Sequence, residues 1–174
     1  RNGNTFNGNA FVDITFLKDF KFTFNVGTTV NEIRYYTTTN PYYGFGAEQN
    51  GTVTMYHYRT TTLNLQQILN YSHNFGKHNI SVMLGHESYK YNYAELSASK
   101  KNMFSYWGNH ELNGAVIDGS SAASYSNDYN TEGYFFRALY DYDAKYYFSA
   151  SYRRDASSRF HPDHWWGNFY SVGG

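Results

Sequence analysis

The chain has 174 residues, 14 basic against 14 acidic, no Cys, and 20 Tyr, 14 Phe and 3 Trp, so aromatics make up 21% of it. Its mean hydropathy is nevertheless −0.69. No run of consecutive apolar residues exceeds three, whereas a membrane-spanning helix needs about 20. The balanced charge excludes the basic stripe of a nucleic-acid binder, the aromatic content argues against disorder, and the missing Cys removes disulfides, Cys-zinc sites and thiol catalysis together.

In chain order the dominant signal has a period of two. Val12, Ile14 and Phe16 alternate with Asp13 and Thr15; Phe22, Phe24, Val26, Thr28 and Val30 then alternate with Lys21, Thr23, Asn25, Gly27 and Thr29. One face is apolar and the other polar, so residues 9–37 read as a hairpin turning at Lys18-Asp19-Phe20. A second hairpin sets Thr61, Leu63, Leu65, Leu69 and Tyr71 against Asn64, Gln66, Asn70 and Ser72, turns at 74–77, and returns through Ile80, Val82 and Leu84. Gln67 and Ile68 break its pattern. A third carries Tyr134, Phe136, Ala138, Tyr140 and Tyr142 into the turn 143–145 and returns through Tyr146, Phe148, Ala150 and Tyr152. A seventh strand begins near Gly167.

The connections between hairpins are longer than the turns within them. Residues 39–51 and 96–130, rich in Asn, Gly and Ser, read as long loops, and 157–166 as an intermediate one. Short and long connections alternate, which places every tight turn at one end of the sheet and every long loop at the other. Loops sort in this way in an outer-membrane barrel, which also has an outward apolar band, a polar interior and aromatic girdles. Phe16, Phe20, Phe22, Phe75, Tyr142 and Tyr146 stand where a turn-side girdle would lie, and Tyr35, Tyr36, Tyr56, Tyr58, Tyr89, Tyr91 and Tyr93 stand at the opposite ends. Alternation from Ile80 turns Tyr89, Tyr91 and Tyr93 inward, and a bulge near Gly85 would reverse them. The fold class expected is therefore all-β, antiparallel up-and-down strands forming part of a large transmembrane β-barrel. Seven strands do not close such a barrel, and a sheet with free edges is not a viable membrane span. That, the absence of an initial Met or apolar leader, and a last residue inside a strand suggest that residues 1–174 are one partial barrel domain of a longer chain.

One stretch is recognisable. Tyr152-Arg153-Arg154-Asp155-Ala156-Ser157-Ser158-Arg159-Phe160, followed by Trp166-Gly167-Asn168-Phe169-Tyr170-Ser171-Val172-Gly173, resembles the late barrel strands of the SusC/RagA-like TonB-dependent outer-membrane transporters of the Bacteroidetes, with Ala156 in place of the usual Gly and Tyr170 in place of the usual Pro. Phe6-Asn7-Gly8-Asn9-Ala10, the run Phe16 to Phe22, Phe75 to Val82, Gly85-His86-Glu87 and Tyr134-Phe135-Phe136-Arg137 support the match. The resemblance implies the middle-to-late part of a barrel of roughly 22 strands whose lumen is plugged. It further implies import of large nutrients, most often oligosaccharides and sometimes peptides, across the outer membrane. The expected partners are a SusD/RagB-like surface lipoprotein, TonB-ExbB-ExbD through parts outside this sequence, and outer-membrane lipid.

Candidate sites follow from the faces. Arg137, Asp141, Arg153 and Asp155 share the polar sides of the third hairpin, where they would line a polar substrate's path or, the favoured reading, hold an ion network. Trp107, Trp165 and Trp166 lie in the long loops, where they would stack on a sugar ring or contact the lid. His161-Pro162-Asp163-His164 has two imidazoles and a carboxylate but no further ligand, and the D-x-N-x-E-G run from Asp128 lacks the acid a calcium loop needs at its twelfth position. No metal or cofactor is assigned. With no G-x-S-x-G, phosphate loop or H-E-x-x-H, an enzyme reading has no residue to stand on. The alternatives are a soluble carbohydrate-binding β-sandwich and a passive porin-like wall.

Overall fold

The computed structural model describes residues 2–105, 107–108 and 110–174, with the backbone alone for 117–120. Seven strands form one sheet in chain order: β1 (Asn2–Phe16), β2 (Phe20–Thr39), β3 (Thr52–Phe75), β4 (His78–Met103), β5 (Ala115–Tyr142), β6 (Tyr146–Ser157) and β7 (Trp166–Gly173). Among the described residues there is no second layer, and the large hydrophobic side chains are mostly exposed, Phe11 at 71% and Phe148 at 52% among them. A β-sandwich needs a second sheet to cover its apolar face. This sheet has none, so the sandwich alternative loses its basis.

The turns fall where the alternation places them. Leu17 and Lys18 after β1, and Asp143 and Ala144 after β5, all have positive φ, the twist that matches two adjacent strands and that normally calls for Asn or Gly. Gly76 supplies it at no steric cost between β3 and β4 (φ 69°). The loop expected over 96–130 is much shorter: β4 runs to Met103 and β5 starts at Ala115. Ser, Asn and Gly are poor strand formers, but their backbone N–H and C=O groups pair as well as any, and a neighbouring strand overrides the propensity.

The chain divides into two compact units. The first comprises Arg1–Phe6, Thr29–Thr61 and Asn92–Asp128 and contains the connections 40–51 and 104–114. Its small core is Val53, Met103 and Ala115, with Leu112 packed against it. The connections are tied down by backbone bonds from Met103 to Asn50 O (3.0 Å) and from Phe104 to Gly114 O (2.9 Å), and by the Thr39 and Thr52 hydroxyls, 2.7 Å apart. A Cβ on Gly46 would sit 2.6 Å from the Asn40 carbonyl oxygen, so this short 3-10 turn requires glycine for close approach.

The second unit comprises Asn7–Thr28, Thr62–Tyr91 and Tyr129–Gly174 and contains the three tight turns. Neighbouring hairpins are joined at those turns, Ser72 N donating to Asp19 O (2.9 Å) and Asp143 N to Lys77 O (2.7 Å). The turn-side aromatic cluster is present: Phe16 stacks on Phe20 at 5.4 Å, Phe20 meets Tyr71 at 4.8 Å, and His78 meets Tyr142 at 4.9 Å. The pairs His78–Tyr142, His86–Tyr134 and Tyr91–Tyr129 advance in step along β4 and β5. The register is unbroken, no bulge intervenes at Gly85, and Tyr89 and Tyr91 stay on the polar face.

Candidate functional site

The polar face of the second unit is built by direct strand pairing, because residues opposite one another in an antiparallel ladder point to the same side. Phe135 lies opposite Arg153 and Arg153 opposite Phe169; Gly133 lies opposite Asp155 and Asp155 opposite Gly167. Arg153 is the centre of this cluster. Its Nε donates to both Asp155 oxygens, at 2.8 and 2.7 Å, its Nη2 lies 3.9 Å from Glu87 on β4, and its guanidinium carbon is 5.7 Å from the Phe135 ring centroid. The two carboxylates are reached from opposite sides of β5 because Gly133 stands between them: a Cβ there would lie 2.6 Å from Asp155 Oδ1. Phe135 fills the space above Gly85, where a Cβ would fall 2.0 Å from the ring, an arrangement in which an aromatic covers backbone that a glycine leaves bare. Beside the cluster opens a hollow of about 640 Å³, lined by Glu87, Arg153, Asp155, Phe160, Trp165 and Phe169 among others.

The residues singled out from the sequence divide accordingly in their placement. Arg153 and Asp155 form an ion pair on the polar face. Arg137 shares that face opposite Ser151, and Asp141 accepts from Asn79 Nδ2 at 2.9 Å and from Ala144 N at 3.3 Å. Among the described residues neither Arg137 nor Asp141 joins the Arg153 ion pairs. Trp107 is 79% exposed in the first unit, its carbonyl oxygen accepting from Ser105 Oγ at 3.3 Å. In the second unit Trp165 Nε1 donates to Phe160 O at 2.7 Å, while Trp166, expected in the loop, is instead the first residue of β7, held there by pairing opposite Ala156, with its ring 5.9 Å from Tyr134. His161 and Asp163 are exposed and 3.4 Å apart, and among the described residues no group of three or more His, Asp or Glu gathers at one point.

Glu87, Gly133 and Phe135 are the participants that the sequence pattern did not single out. The odd-numbered parity they share with Arg153 was the available signal, but which residue of β4 comes level with Arg153 depends on strand register.

Of the loop-side tyrosines Tyr36 shares the apolar side of β2, where it stacks on His110 at 4.3 Å, but the others group away from that side. In the first unit Tyr35 stacks on Tyr56 at 4.6 Å, and Tyr58 meets Tyr93 at 6.4 Å, as Tyr93 does Tyr125 at 6.2 Å. The opposite side of the same strands carries charge, with His57 Nε2 2.5 Å from Glu32 and Arg34 3.3 Å from Glu111. The Tyr58 hydroxyl is pushed up to about 12, first by its hydrogen bond with Tyr35 and then by desolvation. In the second unit Tyr91 stacks on Tyr129 at 4.9 Å, and Arg159 lies over the same Tyr129 ring at 3.9 Å.

No family model matches the chain. It is 29% identical over 167 residues to TonB-dependent receptor P3 of Formosa agariphila, a match covering 92% of this chain and 16% of that protein. Among solved structures it superposes on the RagAB peptide transporter with a TM-score of 0.88 and 25% identity, over 98% of this chain and 19% of the other. The ferric citrate transporter FecA matches in fold alone, with a TM-score of 0.55 at 8% identity over 98% of this chain and 24% of that one. The chain thus spans under a quarter of the length of each of these proteins. Sequence and fold together bear out the resemblance read from the residues: the chain is similar to the SusC/RagA-like TonB-dependent transporters, and its sheet matches part of the wall of a large β-barrel.

Proposed function

We propose that this chain is a contiguous stretch of the barrel wall of an outer-membrane TonB-dependent active transporter that imports large nutrients. The observation that carries the reading is the sheet itself: seven strands in chain order, in the second unit one apolar face left bare by any other layer, and the opposite face bearing a hydrogen-bonded ion cluster. In a membrane barrel the bare face meets lipid and the polar face meets the lumen. The wall's role is mechanical and electrostatic. It supplies a lipid-facing band, a polar lumen surface and loops at the mouth.

On this reading the Arg153, Asp155 and Glu87 cluster holds the wall's inner surface in shape, while Arg137 and the stacked tyrosines face the nutrient path or the plug. Trp107 and Trp165 are loop contacts for ligand or lid. The partner at the mouth is a SusD/RagB-like lipoprotein, and energy comes from TonB-ExbB-ExbD through other parts of the protein. The substrate is an oligosaccharide, the commonest cargo of the family resembled. A peptide is the second reading, favoured by the likeness to the RagAB peptide transporter.

Two measurements on the full-length parent test this. The parent is expected in the outer-membrane fraction and to require detergent for extraction; release into the aqueous phase without detergent would overturn the barrel reading. Uptake of labelled oligosaccharides and peptides by cells with and without the parent then separates the cargoes, and transport that persists without TonB would favour the passive wall.

A further inference from the structure

In the second unit the apolar run of each strand ends at a common level. Going away from the tight turns, β4 presents Ile80, Val82 and Leu84 and then His86, Ser88 and Lys90; β5 presents Tyr140, Ala138 and Phe136 and then Tyr134 and Glu132; β6 presents Phe148, Ala150 and Tyr152 and then Arg154. His86 stacks on Tyr134 at 4.7 Å, Tyr134 lies opposite Arg154, and Arg154 lies opposite Asn168. The change from apolar to polar therefore forms one row across four strands, at His86, Tyr134, Arg154 and Asn168, and Lys90 stands four residues beyond His86 on β4. The row's distance from the turns agrees with the roughly 9–11 residues of a tilted strand crossing a bilayer. Tyr and Trp mark the row, as they mark membrane interfaces.

The charges at the row and just beyond it are unequal. Glu132 is satisfied within the protein, accepting from the Tyr134 hydroxyl at 2.7 Å and lying 3.0 Å from His86 Nε2, whose Nδ1 is 2.6 Å from Gln67. The two cations are not neutralised: among the described residues neither Arg154 nor Lys90 forms an ion pair, and Arg154 is instead laid over the Trp166 ring at 4.8 Å. A guanidinium resting on an aromatic face is already oriented and keeps its donors for a planar or phosphate oxygen pair. Next to Lys90 is a hollow of about 400 Å³ lined by Ser88, Asn130, Ser158 and Trp165 as well as Glu132.

We propose that this level of the sheet binds the headgroup of a bis-phosphorylated outer-leaflet glycolipid, with Arg154 in the row and Lys90 in the hollow beyond it each meeting one phosphate, and Ser88, Asn130 and Ser158 hydrogen-bonding the sugar. The inference rests on the reading that the apolar face meets lipid. Its position commits it to a lipid rather than to free phosphate, because a headgroup is held at that level by acyl chains packed on Leu84, Phe136 and Tyr152.

The test uses the full-length parent in nanodiscs of phosphatidylethanolamine with a minor fraction of bis-phosphorylated lipid A, or of the same lipid after removal of its phosphates. Retained lipid is counted by native mass spectrometry. The parent should keep the phosphorylated lipid, the Lys90→Gln/Arg154→Gln double variant should retain at least about tenfold less of it, and a Lys90→Arg variant should bind as the parent does. Both should retain the dephosphorylated lipid equally weakly. Equal retention by parent and double variant, or of the two lipids by the parent, would overturn the site. A parent that does not enter nanodiscs at all would instead overturn the lipid-facing reading beneath it, and the site with it.

Discussion

On one side of β5 and β6 Phe136 lies opposite Tyr152, and on the other Phe135 lies opposite Arg153. The first pair belongs to a face whose aromatics stand open, Tyr152 at 41% exposure and Phe148 at 52%. The second belongs to a face that provides its own partners, since Phe135 covers Gly85 and Arg153 is bonded to Asp155. Strands with the same backbone pairing thus carry two solutions to burial. A surface destined for lipid needs no partner side chains, because hydrocarbon supplies the contact. A surface facing water, plug or cargo must satisfy its own charges and fill its own gaps.

That difference is breakable. The largest effect is expected from placing charge on the open face: Phe24→Arg or Val82→Arg should destabilise the assembled parent by about 2–4 kcal/mol in lipid, and Asn25→Arg or Ser81→Arg by much less. Denaturant midpoints of the parent in vesicles measure both, and equal losses on the two faces would refute the assignment. Next, Gly85→Ala forces a methyl into the Phe135 ring and should cost about 1–3 kcal/mol. Adding Phe135→Ala should recover part of it, whereas an additive double variant would mean the two residues do not touch in the assembled barrel.

Smaller still, Arg153→Gln removes a half-exposed ion pair, and the stability loss should stay below about 1 kcal/mol. If uptake by the variant falls without loss of folded protein, Arg153 serves the cargo path; unchanged uptake assigns it to the wall. Least of all, Ala144→Gly at φ 53° should gain about 0.5 kcal/mol, relief of left-handed strain offset by a looser unfolded chain. A lowered midpoint would show that the turn does not carry that strain.

Much of this was legible in the residues. The alternation of Phe22, Phe24 and Val26 with Thr23 and Asn25 fixes two faces whatever the strand pairs with, and the turn at 143–145 follows from where that alternation resets. The Arg153–Asp155 pair was legible too, because residues two apart on one strand share a side. Glu87 and Phe135 were not, since their contacts with Arg153 and Gly85 join different strands and depend on register. The tyrosines show the same limit: their places along the strands put Tyr35, Tyr56 and Tyr58 at the loop-side ends, but only pairing brought Tyr58 between Tyr35 and Tyr93.

The sequence by itself determined the strands, their tight turns, their two-faced character and the resemblance to a transporter family, because period-two alternation and short motifs are local properties of the chain. Tertiary structure alone decided how far the strands extend into the Ser- and Asn-rich stretch 96–130, which cations are left without a carboxylate, and where the apolar band stops. Those depend on which residues of different strands come level with one another, and that is set by the whole ladder of backbone hydrogen bonds rather than by any single strand.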